Sequence, residues 1–234
     1  MSIISEKIEK KYKIIVAVIF LVFLAIGLFV LKDYGISTDE TIQHTLGIKT
    51  LNLVLNGDNA LFSASNKYHG TAFTLIGSAI EKIFNLTEVN LIYLSRHIWT
   101  FLLFYFSVIC FYLLCKRIFK DWKIAILGSI FLVLSPRIFA HSFFNPKDLP
   151  FLSAFIISAY TMVLFLEKKN AISGLIHGIS CAFLIGVRIL GILVPVLTFA
   201  FFALDLIVSR KNIDRQMLKR KIFNFLVFLL TLLV

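Results

Sequence analysis

The sequence alternates long apolar runs with short polar clusters, a pattern that predicts several helices crossing a membrane. Runs of about 18 or more apolar residues are long enough to span the hydrocarbon core of a bilayer. We predict six spans, at residues 14–31, 91–115, 124–140, 149–166, 171–187 and 189–208. A seventh apolar run begins at Ile222 and continues to Val234, where the sequence ends, so we expect a truncated part of a longer protein.

Residues 32–90 form the one long stretch between predicted spans. Within it, Thr41 to Leu55 mixes apolar and polar residues in the manner of a helix that lies on a membrane surface. Residues 71–84 are apolar and helical in pattern but too few to span, so we place them at the interface or in a re-entrant piece. The predicted fold is an all-α, polytopic transmembrane helical bundle whose first outer loop carries interfacial helices.

Composition and charge support this topology. Apolar residues make up 59% of the chain at a mean hydropathy of +0.91, well above the roughly 45–50% of soluble folds. Of 24 basic residues, 16 lie in four short segments, which the positive-inside rule assigns to the cytoplasm together with the N-terminus. These segments are 1–13, 116–123, 168–169 and 209–221. The net charge of +11 therefore reflects topology and contact with anionic lipid, and we expect no nucleic-acid partner.

Two arginines stand out because they lie within or at the ends of apolar spans, where a charge is costly and usually functional. At 1.5 Å per residue, Arg137 and Arg188 are far enough from the inner ends of their spans to lie near the outer headgroups. A pair of guanidinium groups can hold a lipid phosphate or pyrophosphate there through bidentate hydrogen bonds. The alternative is that both side chains snorkel to ordinary phospholipid headgroups.

Three acidic residues are candidates for acid–base chemistry: Asp39, Glu40 and Asp148. Two carboxylates that face one another across a cleft can have different roles, one as general base and the other in positioning a substrate or cation. Each also fits helix capping, since Ser37 and Glu40 match a capping box and Asn145 precedes Asp148 at the start of the fourth span. The spacing leaves both interpretations open. Further possible substrate-site residues are His69, His141 and Lys147.

Four landmarks in the sequence resemble the N-terminal half of GT-C class glycosyltransferases. The closest likeness is to bacterial members of the protein O-mannosyltransferase and aminoarabinose-transferase branch. The landmarks are Ser37-Thr38-Asp39-Glu40, Tyr68-His69-Gly70-Thr71, the stretch 135–151 that contains Asn145-Pro146-Lys147-Asp148, and Gly186-Val187-Arg188-Ile189-Leu190-Gly191.

The resemblance implies an inverting transfer of sugar from a polyprenyl-phosphate donor to a glycan, lipid or protein acceptor. Asp39 would be the general base with Glu40 as a possible partner, and Asp148 would bind acceptor or donor. Arg137 and Arg188 would bind the donor phosphate. Some GT-C enzymes hold a divalent metal at the acidic motif and others do not, so a metal is possible and no other cofactor is expected. The implied location is the cell membrane, with a cytoplasmic N-terminus and an active site on the outer face.

Two other classes of function remain open from the sequence. One is a non-enzymatic transporter or flippase for lipid-linked sugars, and the other is an inactive membrane fragment. Transporters typically carry charged or broken helices at the bilayer midplane. Here the charged candidates cluster toward the predicted outer face, which favours the transferase.

Overall fold

A computed structural model describes residues 3–209 and 214–233, with side chains from residue 12 onward. Regular structure in these ranges is helical, which confirms the predicted all-α bundle. The α-helices described are α1 Ile3–Val30, α2 Thr38–Asn56, α3 Ala72–Ile83, α4 Val89–Phe119, α5 Trp122–Leu134, α6 Pro136–Phe144, α7 Asp148–Lys168, α8 Ala171–Val187, α9 Leu193–Ser209 and α10 Arg215–Leu233. Short 3₁₀ helices lie at Leu31–Asp33, Asn59–Leu61 and Ile189–Ile192.

Four helical segments of the described chain are long and apolar enough to cross a membrane. They are Tyr12–Asp33, Val89–Phe119, Asp148–Lys168 and Ile189–Ser209. Helix α8 has only 17 residues, and α10 begins with several basic residues, so the fifth and seventh crossings stay predictions. Residues 210–213 of the predicted inner loop, including Arg210 and Lys211, lie outside the described residues.

The predicted third span, 124–140, is two helices rather than one. Helices α5 and α6 meet at a bend of 67° and count as a fifth crossing only if the bent pair is one span. The break follows from Pro136, because a residue that precedes proline is disfavoured in the helical region. Ser135 is accordingly extended, with φ −62° and ψ 113°.

Polar contacts collect at two opposite ends of the bundle. At one end, which we call the basic end, Tyr12 stacks on Trp122 at 5.4 Å between ring centroids, and Arg117 pairs with Glu167. Asp205 at the same end accepts hydrogen bonds from two lysines. The other end, the site end, carries α2, α3 and the beginnings of α4 and α7. Between the two ends the core is mostly apolar, with the fully buried Phe101, Phe104 and Phe143 in one cluster. It also contains a buried polar group in which His177 is hydrogen-bonded to Thr161 and Thr198.

Helices α8 and α10 approach closely because α8 presents two glycines four residues apart. A Cβ at Gly174 would lie 2.8 Å from the Asn224 carbonyl oxygen, and one at Gly178 would lie 2.9 Å from that of Phe228. Small residues at this spacing let two transmembrane helices pack backbone to backbone. This contact fixes α8, and therefore the position of Arg188 just beyond its last residue.

Helix α2 buries a face that is largely polar. Its buried residues are Glu40, Gln43, Leu46, Gly47 and Thr50. Gly47 packs on α3, where a Cβ would lie 2.6 Å from the Thr74 carbonyl oxygen. The predicted surface helix therefore uses its polar stripe to contact protein, while apolar residues such as Val54 are exposed.

Candidate functional site

A cavity of about 410 Å³ opens at the site end, where five parts of the chain converge. Helix α2 contributes Gln43, and α3 contributes Phe73 and Thr74. The remaining walls are the 68–70 loop, the Pro146–Lys147 turn before α7, and residues 187–190 after α8. We call this the site cavity. It brings together three of the four sequence landmarks named above.

The 68–70 loop reaches the cavity because glycine allows it to lie directly on the end of α8. A Cβ at Gly70 would lie 2.4 Å from the Gly186 carbonyl oxygen and 2.5 Å from that of Val187. No side chain fits in that space, so residue 70 must be glycine for this contact to form. The contact places exposed His69 and Tyr68 beside Arg188 at the cavity wall.

Asp39 lies in the first turn of α2, as the helix-capping interpretation requires, and it also forms a long-range ion pair. Its Oδ1 accepts a hydrogen bond at 2.9 Å from Lys147 Nζ, and Lys147 borders the cavity. About half of the Asp39 side chain is exposed, and Oδ2 has no hydrogen-bond partner among the residues that the structure describes. A carboxylate oxygen of Asp39 is therefore available to a ligand next to the cavity.

Asp148 is more fully engaged than Asp39. Its Oδ1 accepts from Arg188 Nη2 at 2.5 Å, and its Oδ2 accepts from Asn145 Nδ2 at 3.2 Å. Asn145 Oδ1 in turn accepts from the backbone N–H groups of Lys147 and Asp148, so its side chain closes the turn before α7, whose N-cap position is Lys147. With both oxygens occupied, Asp148 is arranged to orient the Arg188 guanidinium.

Arg188 lies at a break in the chain between α8 and the following 3₁₀ helix. Its backbone is extended, with φ −152° and ψ 137°, which directs the side chain away from the helix axis. Besides its bond to Asp148, the guanidinium lies 5.7 Å from the centroid of the Phe151 ring. These two contacts hold a half-exposed cation at the cavity wall.

Glu40, the expected partner of Asp39, has other partners. Its Oε2 accepts from the Ser37 backbone N–H at 2.7 Å, which is the glutamate half of the predicted capping box. Its Oε1 accepts from His97 Nε2 at 2.7 Å, and both side chains are buried. Glu40 thus caps α2 and ties it to α4, and it does not border the site cavity.

A second buried network, which sequence reasoning missed, joins α2, α3 and α4 below the site. Glu81 accepts hydrogen bonds from Arg96 Nε at 2.5 Å and from His44 Nε2 at 3.0 Å. Arg96 also donates to Ser78 Oγ at 3.0 Å. Burial raises the pKa of Glu81, but the hydrogen bonds and charges of His44 and Arg96 outweigh it, so its pKa lies below its ordinary 4.5. The carboxylate of Glu81 is therefore ionised at neutral pH, and its hydrogen bonds join α3 to α2 and α4.

Two other predicted site residues lie apart from the cavity. Arg137 is exposed on α6 and directly follows Pro136, which borders a different, apolar cavity of about 360 Å³ between α1, α4, α5 and α6. His141 Nδ1 accepts from Asn145 Nδ2 at 2.7 Å, so it supports the turn before α7. Neither side chain borders the site cavity.

Within the described ranges there is no group of three or more His, Cys, Asp or Glu side chains that could hold a metal ion. The charges nearest the cavity instead form a chain of alternating sign, Asp39, Lys147, Asp148 and Arg188. Such an arrangement offers a free carboxylate oxygen at one end and a held guanidinium at the other.

Comparison with known proteins gave one match. The family model described as dolichyl-phosphate-mannose-protein mannosyltransferase matches residues 71–234, which is well over half of the chain. The matched region includes α3 to α10 and, with them, Lys147, Asp148 and Arg188. No curated protein and no solved structure gave a significant match.

Proposed function

The chain belongs to the dolichyl-phosphate-mannose-protein mannosyltransferase family of GT-C membrane glycosyltransferases, and we therefore propose that it transfers a sugar from a polyprenyl-phosphate donor. The donor would bind in the site cavity. The observation that carries the proposal is that two cations of the cavity wall, Lys147 and Arg188, are each paired with a carboxylate beside it. The carboxylates are Asp39 and Asp148, and the four residues lie up to 149 positions apart in sequence. The site would face the non-cytoplasmic side of the cell membrane.

The donor phosphate binds to Arg188 and Lys147 in this proposal. Both cations border the cavity, and both are held by carboxylates outside its walls. A guanidinium fixed by a carboxylate is preorganised for a phosphate, since little conformational freedom is lost when the ligand binds. Arg137 does not border the cavity, so its proposed role in donor binding stays a prediction, with contact to ordinary headgroups as the alternative.

Asp39 acts as the general base. Its free Oδ2 accepts the proton of the acceptor hydroxyl as the hydroxyl oxygen bonds to the anomeric carbon of the sugar. The bond between that carbon and the phosphate oxygen breaks, and polyprenyl phosphate leaves with the electron pair. Lys147 and Arg188 stabilise the charge that develops on the leaving phosphate. Attack opposite the leaving group gives inversion at the anomeric carbon.

Transfer in proteoliposomes tests this function. The purified protein is reconstituted with polyprenyl-phosphate mannose, and an extract of envelope glycans, lipids and proteins is supplied as the acceptor pool. We expect formation of sugar-free polyprenyl phosphate together with a mannosylated product, and we expect both to disappear when Arg188 is replaced by glutamine. Product formation that is equally fast with Arg188→Gln would contradict the proposal.

A further inference from the structure

Gln43 differs from the other buried polar residues of α2 in its hydrogen bonding. Glu40 bonds to His97 and Ser37, and the Thr50 hydroxyl donates to the Leu46 carbonyl oxygen at 2.8 Å. Gln43 is only 2% exposed, yet its Nε2 has no hydrogen-bond partner among the described residues. Buried polar groups in native structures nearly always have a hydrogen-bond partner, so we expect this amide to bond to a group that the described residues do not supply.

The position of Gln43 indicates where that partner binds. Gln43 borders the site cavity, and it lies one helical turn after Asp39 on the same side of α2. The terminal torsion of a glutamine is broad, so the amide can turn toward a ligand in the cavity at little cost. The ligand must offer a hydrogen-bond acceptor.

The cavity has two chemically different parts. Lys147 and Arg188 are partly exposed and cationic, and they suit an anionic phosphate. Gln43, Phe73 and Thr74 are buried and uncharged, so they suit a neutral polar group. A glycosylated phosphate has this division within one molecule, because its charged phosphate is directly bonded to a neutral ring of hydroxyl groups.

We propose that Gln43 determines sugar specificity, its amide N–H donating a hydrogen bond to a hydroxyl of the sugar that is transferred. The inference rests on the proposed function, since it takes the phosphate to lie at Arg188 and Lys147. Beyond the proposed function, the inference adds a polar contact that recognises the sugar rather than the lipid phosphate. An amide both donates and accepts, which matches the two roles of a hydroxyl group.

The experiment compares the affinities of two lipids for the protein in lipid nanodiscs. The lipids are a short-chain polyprenyl phosphate and the same lipid carrying mannose. Gln43→Met keeps the length of the side chain and removes the amide, so we expect the affinity for the mannosylated lipid to fall about tenfold, the value of one neutral hydrogen bond. The affinity for the sugar-free lipid should not change.

Two further variants separate this inference from the proposed function. Gln216→Met changes the same residue type at an exposed position of α10 and should leave both affinities unchanged. Arg188→Gln should weaken both lipids. If Arg188→Gln weakens both and Gln43→Met weakens neither, or weakens both equally, the role of Gln43 is overturned while the proposed function stands. If Arg188→Gln weakens neither lipid, the proposed function fails, and the inference fails with it.

Discussion

Replacing Glu81 by glutamine should destabilise the protein by about 3 kcal/mol, because it leaves the buried Arg96 guanidinium without its counter-charge. The side chains of Glu81 and Arg96 are 9% and 8% exposed, so water screens their attraction weakly. Breaking a buried pair from one side typically costs about 3–5 kcal/mol. We take the lower value since Ser78 Oγ still accepts from Arg96 Nη2.

The matched control is Glu167→Gln, which removes the carboxylate of an exposed pair. Glu167 and Arg117 are 48% and 37% exposed at the basic end, and exposed pairs contribute about 0–1 kcal/mol. The assay is the free energy of unfolding, followed by circular dichroism during titration of mixed micelles with sodium dodecyl sulfate. A difference below about 1 kcal/mol between the two variants would refute the view that the Glu81 network holds α2, α3 and α4 together.

The pH dependence follows from the lowered pKa of Glu81. A carboxyl whose pKa is lower in the folded state contributes its full stability above the pKa of the unfolded state, here about 4.5. That contribution is lost as the pH falls below 4.5 and through the pKa of the folded state. The wild type and Glu81→Gln should therefore differ most at neutral pH and converge in acid. A constant difference from pH 7 to pH 3 would contradict this cause.

Two other predictions concern the donor site and the topology. Arg188→Gln should weaken binding of polyprenyl phosphate roughly ten- to a hundredfold, the loss of a charge-assisted contact, as measured by fluorescence titration in nanodiscs. The same titration of Arg137→Gln decides between the two roles of Arg137: a comparable loss places both guanidinium groups on the phosphate, and an unchanged affinity leaves contact with ordinary headgroups. A cysteine introduced at exposed Lys67 should react with a membrane-impermeant maleimide only when the reagent is outside the cell. A cysteine introduced at exposed Lys120 should react only when the reagent has access to the inside of the cell. Labelling of both from the same side would overturn the orientation; the three native cysteines are buried and need not be removed.

Much of the helical framework could be predicted from the sequence, because apolar runs and turn residues are local signals. The helix predicted from Thr41 to Leu55 is α2, Thr38–Asn56, and the one predicted over 71–84 is α3, Ala72–Ile83. The break at Pro136 was missed because the apolar run continues through it. Pro136 itself was the signal, since a proline disfavours a helical conformation at the residue before it.

The candidate site could be predicted only in part. Asp39, Lys147, Asp148 and Arg188 were candidates individually, but their pairing depends on tertiary contacts that spacing does not encode. The buried network was missed because its members come from three different helices, and their pairing is a tertiary contact that sequence spacing does not encode. Three ionisable residues, Arg96, His97 and Glu81, on otherwise apolar helices were a signal for buried partners.

The measurement that tests the central claim most directly is the turnover rate of Asp39→Asn in the transfer assay. The amide keeps the shape of the side chain and can still accept from Lys147, but it cannot take the proton of the acceptor hydroxyl. We expect kcat to fall by about 10²- to 10⁴-fold while polyprenyl-phosphate affinity and the free energy of unfolding stay near the wild-type values. Asp58→Asn, the same change at an exposed loop position, should leave kcat unaltered. A kcat for Asp39→Asn within a few-fold of wild type would contradict the assignment of Asp39 as the general base.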